Sequence, residues 1–210
     1  MTTLIPVLAI AGALAIGAMS PGPSFVVVVR TAVARSRLDG IAAALGMGIG
    51  GLVFAGLALA GLTALLASVA WLYLGLKVVG GLYLIYLAVR IWRGAVEPLR
   101  MAEGARQGEA ATGRSFLLGL TTQLSNPKTA VYYASVFAAL LPANAGFETA
   151  VLLLPAVLLI EAGWYAIVAM AFSSDRPRRV YLRWKAKVDR LAGAVMAILG
   201  IRLIVGVVRT

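Results

Sequence analysis

The sequence predicts an all-α polytopic membrane protein, with six transmembrane helices arranged as two inverted three-helix repeats and helices 1 and 4 broken at proline motifs. Three observations lead to it. The chain is 61% hydrophobic and only 13% charged, with a mean hydropathy of +0.95, whereas soluble domains carry roughly a quarter charged residues. Its positive charge collects between the apolar runs rather than along them. Two of those runs are interrupted, at Gly17-Ala18-Met19-Ser20-Pro21-Gly22-Pro23 and at Ser125-Asn126-Pro127-Lys128.

Composition narrows the function classes. A chain of 210 residues allows one compact bundle and leaves no room for a second sizeable domain beyond its loops. Cysteine and histidine are both absent, which excludes thiol chemistry and disulfides and removes the commonest metal ligand. No metal site or cofactor is expected. The formal charge of +11 does not point to nucleic acid, because a duplex binder gathers its basic residues on a soluble face. Basic residues between apolar runs instead follow the positive-inside rule. The N-terminal run lacks a basic leader and exceeds the usual 7–15 residues of a signal core, so it reads as a retained span.

Span 1 covers residues 4–29, and Arg30, Arg35, Arg37 and Asp39 mark a short basic loop with a net charge of +2. Span 2, residues 41–66, carries Gly46, Gly50, Gly51, Gly56 and Gly61 among its glycines, and Gly46 and Gly50 have the four-residue spacing that permits close helix contact. The turn at residues 67–70 is uncharged, and Trp71 and Tyr73 beside it suit an interfacial aromatic belt. Span 3, residues 71–91, contains Lys77, Gly80, Gly81, Tyr83 and Tyr86, and Arg90 and Arg93 close its basic end.

The polar stretch 94–114 reads as a surface linker, with room for a short amphipathic helix weakened by Gly104, Gly108 and Gly113. Span 4, residues 116–141, resumes after its break with Tyr132, Tyr133 and Phe137, and a turn containing Pro142, Asn144 and Gly146 follows. Span 5, residues 149–172, carries Pro155, Glu161, Trp164 and Tyr165. The segment from Asp175 to Arg190 reads as a loop of net charge +5, and span 6 runs over residues 191–208 with Gly193, Gly200 and Arg202.

Alternate loops are thus basic and nearly neutral, which places the basic loops in the cytoplasm and both termini outside. With three spans in each half, the second half enters from the opposite side. The expected organisation is a first repeat over residues 1–93, a cytoplasmic linker over 94–115 and a second repeat over 116–210. Interrupted hydrophobic segments at corresponding places in two such halves point to a transporter's central site.

Lys77, Lys128, Glu161 and Arg202 lie within apolar runs, where an unpaired charge costs about 2.5–3.5 kcal/mol on insertion scales. They are expected to turn inward, with Glu161 pairing to Lys77, Lys128 or Arg202. Two roles for Glu161 stand side by side: an ion pair that orients helices, or a group that binds substrate ammonium or accepts a proton. At the breaks, Pro21, Pro23 and Pro127 free backbone carbonyls that suit an ammonium group, and the helix N-termini beyond them suit a carboxylate. Ser20 and Asn126 add short polar side chains beside them, Gly22 lies between the two prolines, and Lys128 offers an additional positive charge. A zwitterionic α-amino acid matches both halves of that arrangement, although ordinary proline kinks would leave the same sequence trace.

These residues resemble the LysE/RhtB family of bacterial amino-acid exporters. The resemblance rests on Ser20-Pro21-Gly22-Pro23, the basic loop with Gly40, Leu45-Gly46, Lys77-Val78-Val79-Gly80-Gly81-Leu82-Tyr83-Leu84, Asn126-Pro127-Lys128, Glu161 with Trp164, and Gly193-Ala194, Gly200 and Arg202-Leu203. It implies a secondary exporter in the bacterial inner membrane, driven by proton influx, taking a small amino acid or derivative and forming a homodimer. Glu161 stands where many relatives carry Asp, one methylene longer. The rival readings are a channel or exporter for another small solute or ion and a non-transporting accessory protein; a membrane enzyme finds no nucleophile–base or metal-ligand pattern.

Overall fold

The computed structural model describes residues 4–68, 70–96, 111–142, 145–173 and 175–208. These form eight helices: α1 (Leu4–Met19), α2 (Pro23–Ala34), α3 (Arg37–Ser68), α4 (Ala70–Gly94), α5 (Thr112–Leu124), α6 (Pro127–Leu140), α7 (Phe147–Phe172) and α8 (Asp175–Val208). Arg37–Gly61, Phe147–Phe172 and Arg179–Val207 are long and apolar enough to cross a membrane. The pair α1–α2, bent by 58° at its break, counts as a fourth if it forms one span. Large apolar side chains such as Ile5, Leu57, Leu159 and Ile198 stand exposed around the bundle, as lipid contact requires.

Both interruptions have a local cause. Pro23 and Pro127 occupy the first turns of α2 and α6, where a missing N–H costs nothing and the fixed φ suits a helix start. The chain before them is extended at Gly22 and Asn126, as residues preceding proline prefer. Asn126 caps α6, its Oδ1 accepting from the Lys128 backbone N–H at 3.1 Å, whereas Gly22 leaves the start of α2 without a side-chain cap. α1 packs beside α6 and α2 beside α5, so the two interrupted segments pass one another antiparallel and their breaks meet inside the protein. Contact between them is direct: Asn126 Nδ2 donates to Ser24 Oγ at 3.1 Å.

Around this crossing, α3 packs along both α5 and α7, and α4 along α8. The expected role of Gly46 and Gly50 in close helix contact holds, for both face α5: a Cβ at Gly46 would strike the Phe116 carbonyl, and one at Gly50 would lie 2.7 Å from Gln123 Cβ. α4 and α8 cross with Gly81 and Gly200 each against the other's backbone carbonyl. One apolar cluster, including Ile10, Leu14, Tyr133, Phe137, Leu153 and Met196, and a second, including Phe25, Val28, Met47, Val168 and Phe172, pack the interior.

Two expectations require correction. The segment read as a basic loop from Asp175 to Arg190 is helical, continuous with span 6 in the 34-residue α8; its charges fall among apolar residues such as Tyr181, Leu182 and Trp184, and nothing in it breaks a helix after Pro177. The first basic loop is likewise shorter than read, because α2 runs to Ala34 and α3 starts at Arg37. Ser36 starts α3 through a reciprocal cap, its Oγ accepting from Asp39 N at 3.0 Å and donating to Asp39 Oδ2 at 2.6 Å. The short helix considered for the polar linker falls on residues 97–110, outside the described residues.

Candidate functional site

Where the breaks meet, α2, α5, α6 and α7 bring neutral polar side chains to a single buried carboxylate. Glu161 lies near the middle of α7 and is 3% exposed. Its Oε1 accepts from Tyr133 OH at 2.8 Å and its Oε2 from Gln123 Nε2 at 3.2 Å. Gln123 Oε1 in turn accepts from Ser24 Oγ at 2.7 Å, and Ser24 accepts from Asn126 Nδ2. Every donor in this chain is directed toward Glu161, which closes it as the terminal acceptor. Hydrogen bonds to a charged group contribute about 1.5–3 kcal/mol each, which offsets part of the several kcal/mol that burying an ion costs.

The expected ion pair is therefore not what holds Glu161. Among the described residues its carboxylate is bound by an amide and a phenol, and the ion pair found there is Lys185–Asp189. Lys128 comes nearest to the expectation, since it shares the Glu161 chamber. Lys77 is half-buried on α4 and Arg202 is exposed on α8, and neither lines the chamber. Room for the network comes from α3, where a Cβ at Gly51 would sit 2.9 Å from Tyr133 OH and 3.0 Å from Glu161 Cγ.

The chamber is bounded by Gly17, Ser20, Gly22, Thr129, Tyr132 and Tyr165 together with the network residues and Lys128. Its free volume is about 30 Å³, enough for roughly two water molecules. A wider vestibule of about 530 Å³ adjoins it, lined by Pro21, Pro23, Tyr83, Arg90, Pro127, Lys185 and Asp189 among others. Ser20, Gly22, Asn126 and Lys128 border both spaces, so the two breaks form the partition. Lys128 makes no side-chain hydrogen bond or ion pair among the described residues, and its Nζ lies 3.3 Å from where a Cβ on Gly22 would stand. An unpaired ammonium thus projects toward the uncapped start of α2.

The structure accordingly brings together Ser20, Pro21, Gly22, Pro23, Asn126, Pro127, Lys128 and Glu161, and leaves Lys77 and Arg202 apart. It adds Ser24, Gln123 and Tyr133. A glutamine three residues before the Asn126 break was the available signal for Gln123, since an amide in an apolar helix needs partners; Ser24 and Tyr133 are ordinary in composition and carry no such signal.

Residues 15–206 match the family described as LysE type translocator. The threonine efflux protein of Escherichia coli (strain K12) is 41% identical over 189 residues, covering 89% of this chain and 91% of its own. The threonine efflux protein of Salmonella typhi is 40% identical over 188 residues with the same shares. The leucine efflux protein of Enterobacter sp. (strain 638) is 28% identical over 181 residues, covering 85% of this chain and 83% of its own. No solved structure matches the chain. The chain belongs to the LysE family, and it is a multi-pass exporter of an amino acid or amino-acid derivative in the bacterial inner membrane rather than an enzyme.

Proposed function

We propose that the chain exports a small neutral amino acid of the threonine type by alternating access, with Lys128 and Glu161 as the two poles of the site. The observation that carries this reading is the hydrogen-bond chain leading from both breaks to one carboxylate, with an unpaired ammonium in the same chamber wall. The substrate carboxylate sits between Lys128 and the uncapped first turn of α2, where helix amides and the dipole favour an anion. Its ammonium meets Glu161. Hydroxyl and amide groups of Ser20, Ser24, Gln123, Asn126 and Thr129 suit a side-chain hydroxyl, and two relatives at about 40% identity are named for threonine efflux.

The same reading takes residues 1–93 and 116–210 as inverted repeats of three spans each, joined by a linker over residues 94–115. Support comes from how the helices pair: α3 with α7 and α4 with α8 are counterparts in the two halves, and the reciprocal Gly81–Gly200 crossing is what a pseudo-two-fold axis generates. The antiparallel passage of α1–α2 beside α5–α6 fits it too. The basic ends at Arg35, Arg93 and Arg183 are cytoplasmic and the short termini external. The path lies within one chain, so a homodimer carries one path per subunit.

At about 30 Å³ the chamber is too small for an amino acid, and substrate entry opens it from the vestibule. Release outside leaves Glu161 free to take a proton, which returns to the cytoplasm as the halves rock back. Influx of protons down their gradient thereby drives export. Proteoliposomes preloaded with threonine, serine, leucine and lysine separately test this: threonine efflux that accelerates when the exterior is acidified at clamped voltage is expected. Efflux indifferent to the imposed pH gradient would reject proton coupling, and release of none of the four would reject the substrate class.

A further inference from the structure

We propose that the vestibule is a second amino-acid site, a reception site in which Asp189 takes the substrate ammonium and Lys128 its carboxylate before transfer to the chamber. This rests on the exporter reading above and extends it to a residue that the chamber does not contain. Volume is the first argument: about 530 Å³ is ample for a small amino acid, whereas the 30 Å³ beside Glu161 is not. Of the two spaces, the vestibule is therefore the one that a substrate molecule fits.

Charge is the second. Asp189 and Lys128 both line the vestibule, carry opposite signs and do not pair with each other. Asp189 is only half engaged. Lys185 Nζ holds its Oδ2 at 2.9 Å, but its Oδ1 receives only a 3.4 Å contact from Ser20 Oγ, longer than the 2.5–3.0 Å usual for O–H···O bonds. An ammonium displaces that weak contact at little cost. Lys185 is itself fixed by the Gly94 and Ala95 carbonyls at 3.2 and 3.3 Å, so it stays in place beside the bound ligand. Arg90, the third cation in the lining, reaches Tyr86 through a 3.4 Å hydrogen bond and a ring contact at 5.8 Å, and of the three cations Lys128 is the one that also borders the chamber, which makes it the carboxylate partner.

Geometry is the third argument. Lys128 borders both spaces, so the carboxylate keeps one partner while the ammonium moves from Asp189 to Glu161. Ser20, released from Asp189 by the ligand, stands on the same partition.

The test is sidedness. In oriented proteoliposomes, threonine half-saturation is measured separately at each face for wild type, Asp189→Asn, Lys185→Met and Glu161→Gln. Asp189→Asn is expected to raise half-saturation about tenfold or more at the vestibule face, the scale of one charged hydrogen bond, and to leave the opposite face unchanged. Lys185→Met, which frees the Asp189 carboxylate, should lower vestibule-face half-saturation. Equal shifts at both faces, no shift in Asp189→Asn, or a vestibule-face value that is unchanged or raised in Lys185→Met would overturn the reception site. Should Asp189→Asn fail to insert, the Lys185→Met result alone decides. Transport persisting in Glu161→Gln would defeat the underlying exporter site instead, so the two failures are distinguishable.

Discussion

Tyr133 and Gln123 are the residues on which the state of Glu161 depends, since they supply both of its hydrogen bonds among the described residues. Tyr133→Phe removes the shorter one while keeping the ring that packs against Phe54 and Phe137. Loss of a charged hydrogen bond of about 1.5–3 kcal/mol should lower the export rate by roughly ten-fold or more in vesicles, with insertion unchanged; a rate equal to wild type would show that the phenol merely fills space. Gly51→Ala reaches the same pair from the opposite side, because its new methyl would press on Tyr133 OH and Glu161 Cγ, and it should depress export without touching a polar group. Glu161 was legible in the sequence because a lone acid in an apolar run is costly and must be used. Its partners were not, since Gln123 and Tyr133 are uncharged and lie 38 and 28 residues away. Coulombic reasoning therefore favoured Lys77, Lys128 or Arg202, while the fold supplied neutral donors.

Helix contacts carry their own consequences. α4 and α8 approach closely enough at Gly81 and Gly200 that a Cβ on either would sit 2.8 or 2.6 Å from the facing carbonyl. Gly200→Leu must force the pair apart, at a cost above the ~1–3 kcal/mol of ordinary overpacking because backbone cannot yield as a side chain does; a clear drop in the thermal unfolding midpoint in detergent is expected. Elsewhere in the bundle, Ser115 Oγ on α5 donates to Asp39 Oδ1 on α3 at 2.9 Å and accepts from Arg35 at 3.3 Å. Ser115→Ala takes one donor from the buried Asp39 carboxylate and should destabilise by about 1–3 kcal/mol, seen as a lower midpoint in the same assay. The proline breaks and the spans around them were readable because proline acts locally. The helix start before Asp189 was not, because a run of arginines and lysines looks like a loop until Tyr181 is found stacked on Phe25 at 5.0 Å and donating to the Met19 carbonyl at 3.3 Å. Those contacts fold the basic segment onto the bundle.

Across the whole molecule, the antiparallel crossing of the broken segments and the pairing of α3 with α7 and α4 with α8 are what the proposed opposed halves would give. Composition made the all-helical membrane bundle legible; the meeting of the two breaks, by contrast, depends on long-range packing that a single sequence does not display. The chain has no cysteine, so single cysteines report orientation cleanly. A cysteine at Ser36 or Arg183 should react with a membrane-impermeant maleimide only from the cytoplasmic side and one at Gly146 only from outside; labelling of all three from one side would remove the inverted arrangement. Alternating access through the two breaks then makes a single demand on Glu161. The most direct measurement is threonine efflux from preloaded proteoliposomes containing equal amounts of inserted wild-type and Glu161→Gln protein. The account predicts rapid release through the wild type and release at the rate of protein-free vesicles through the variant; equal release through both would contradict it.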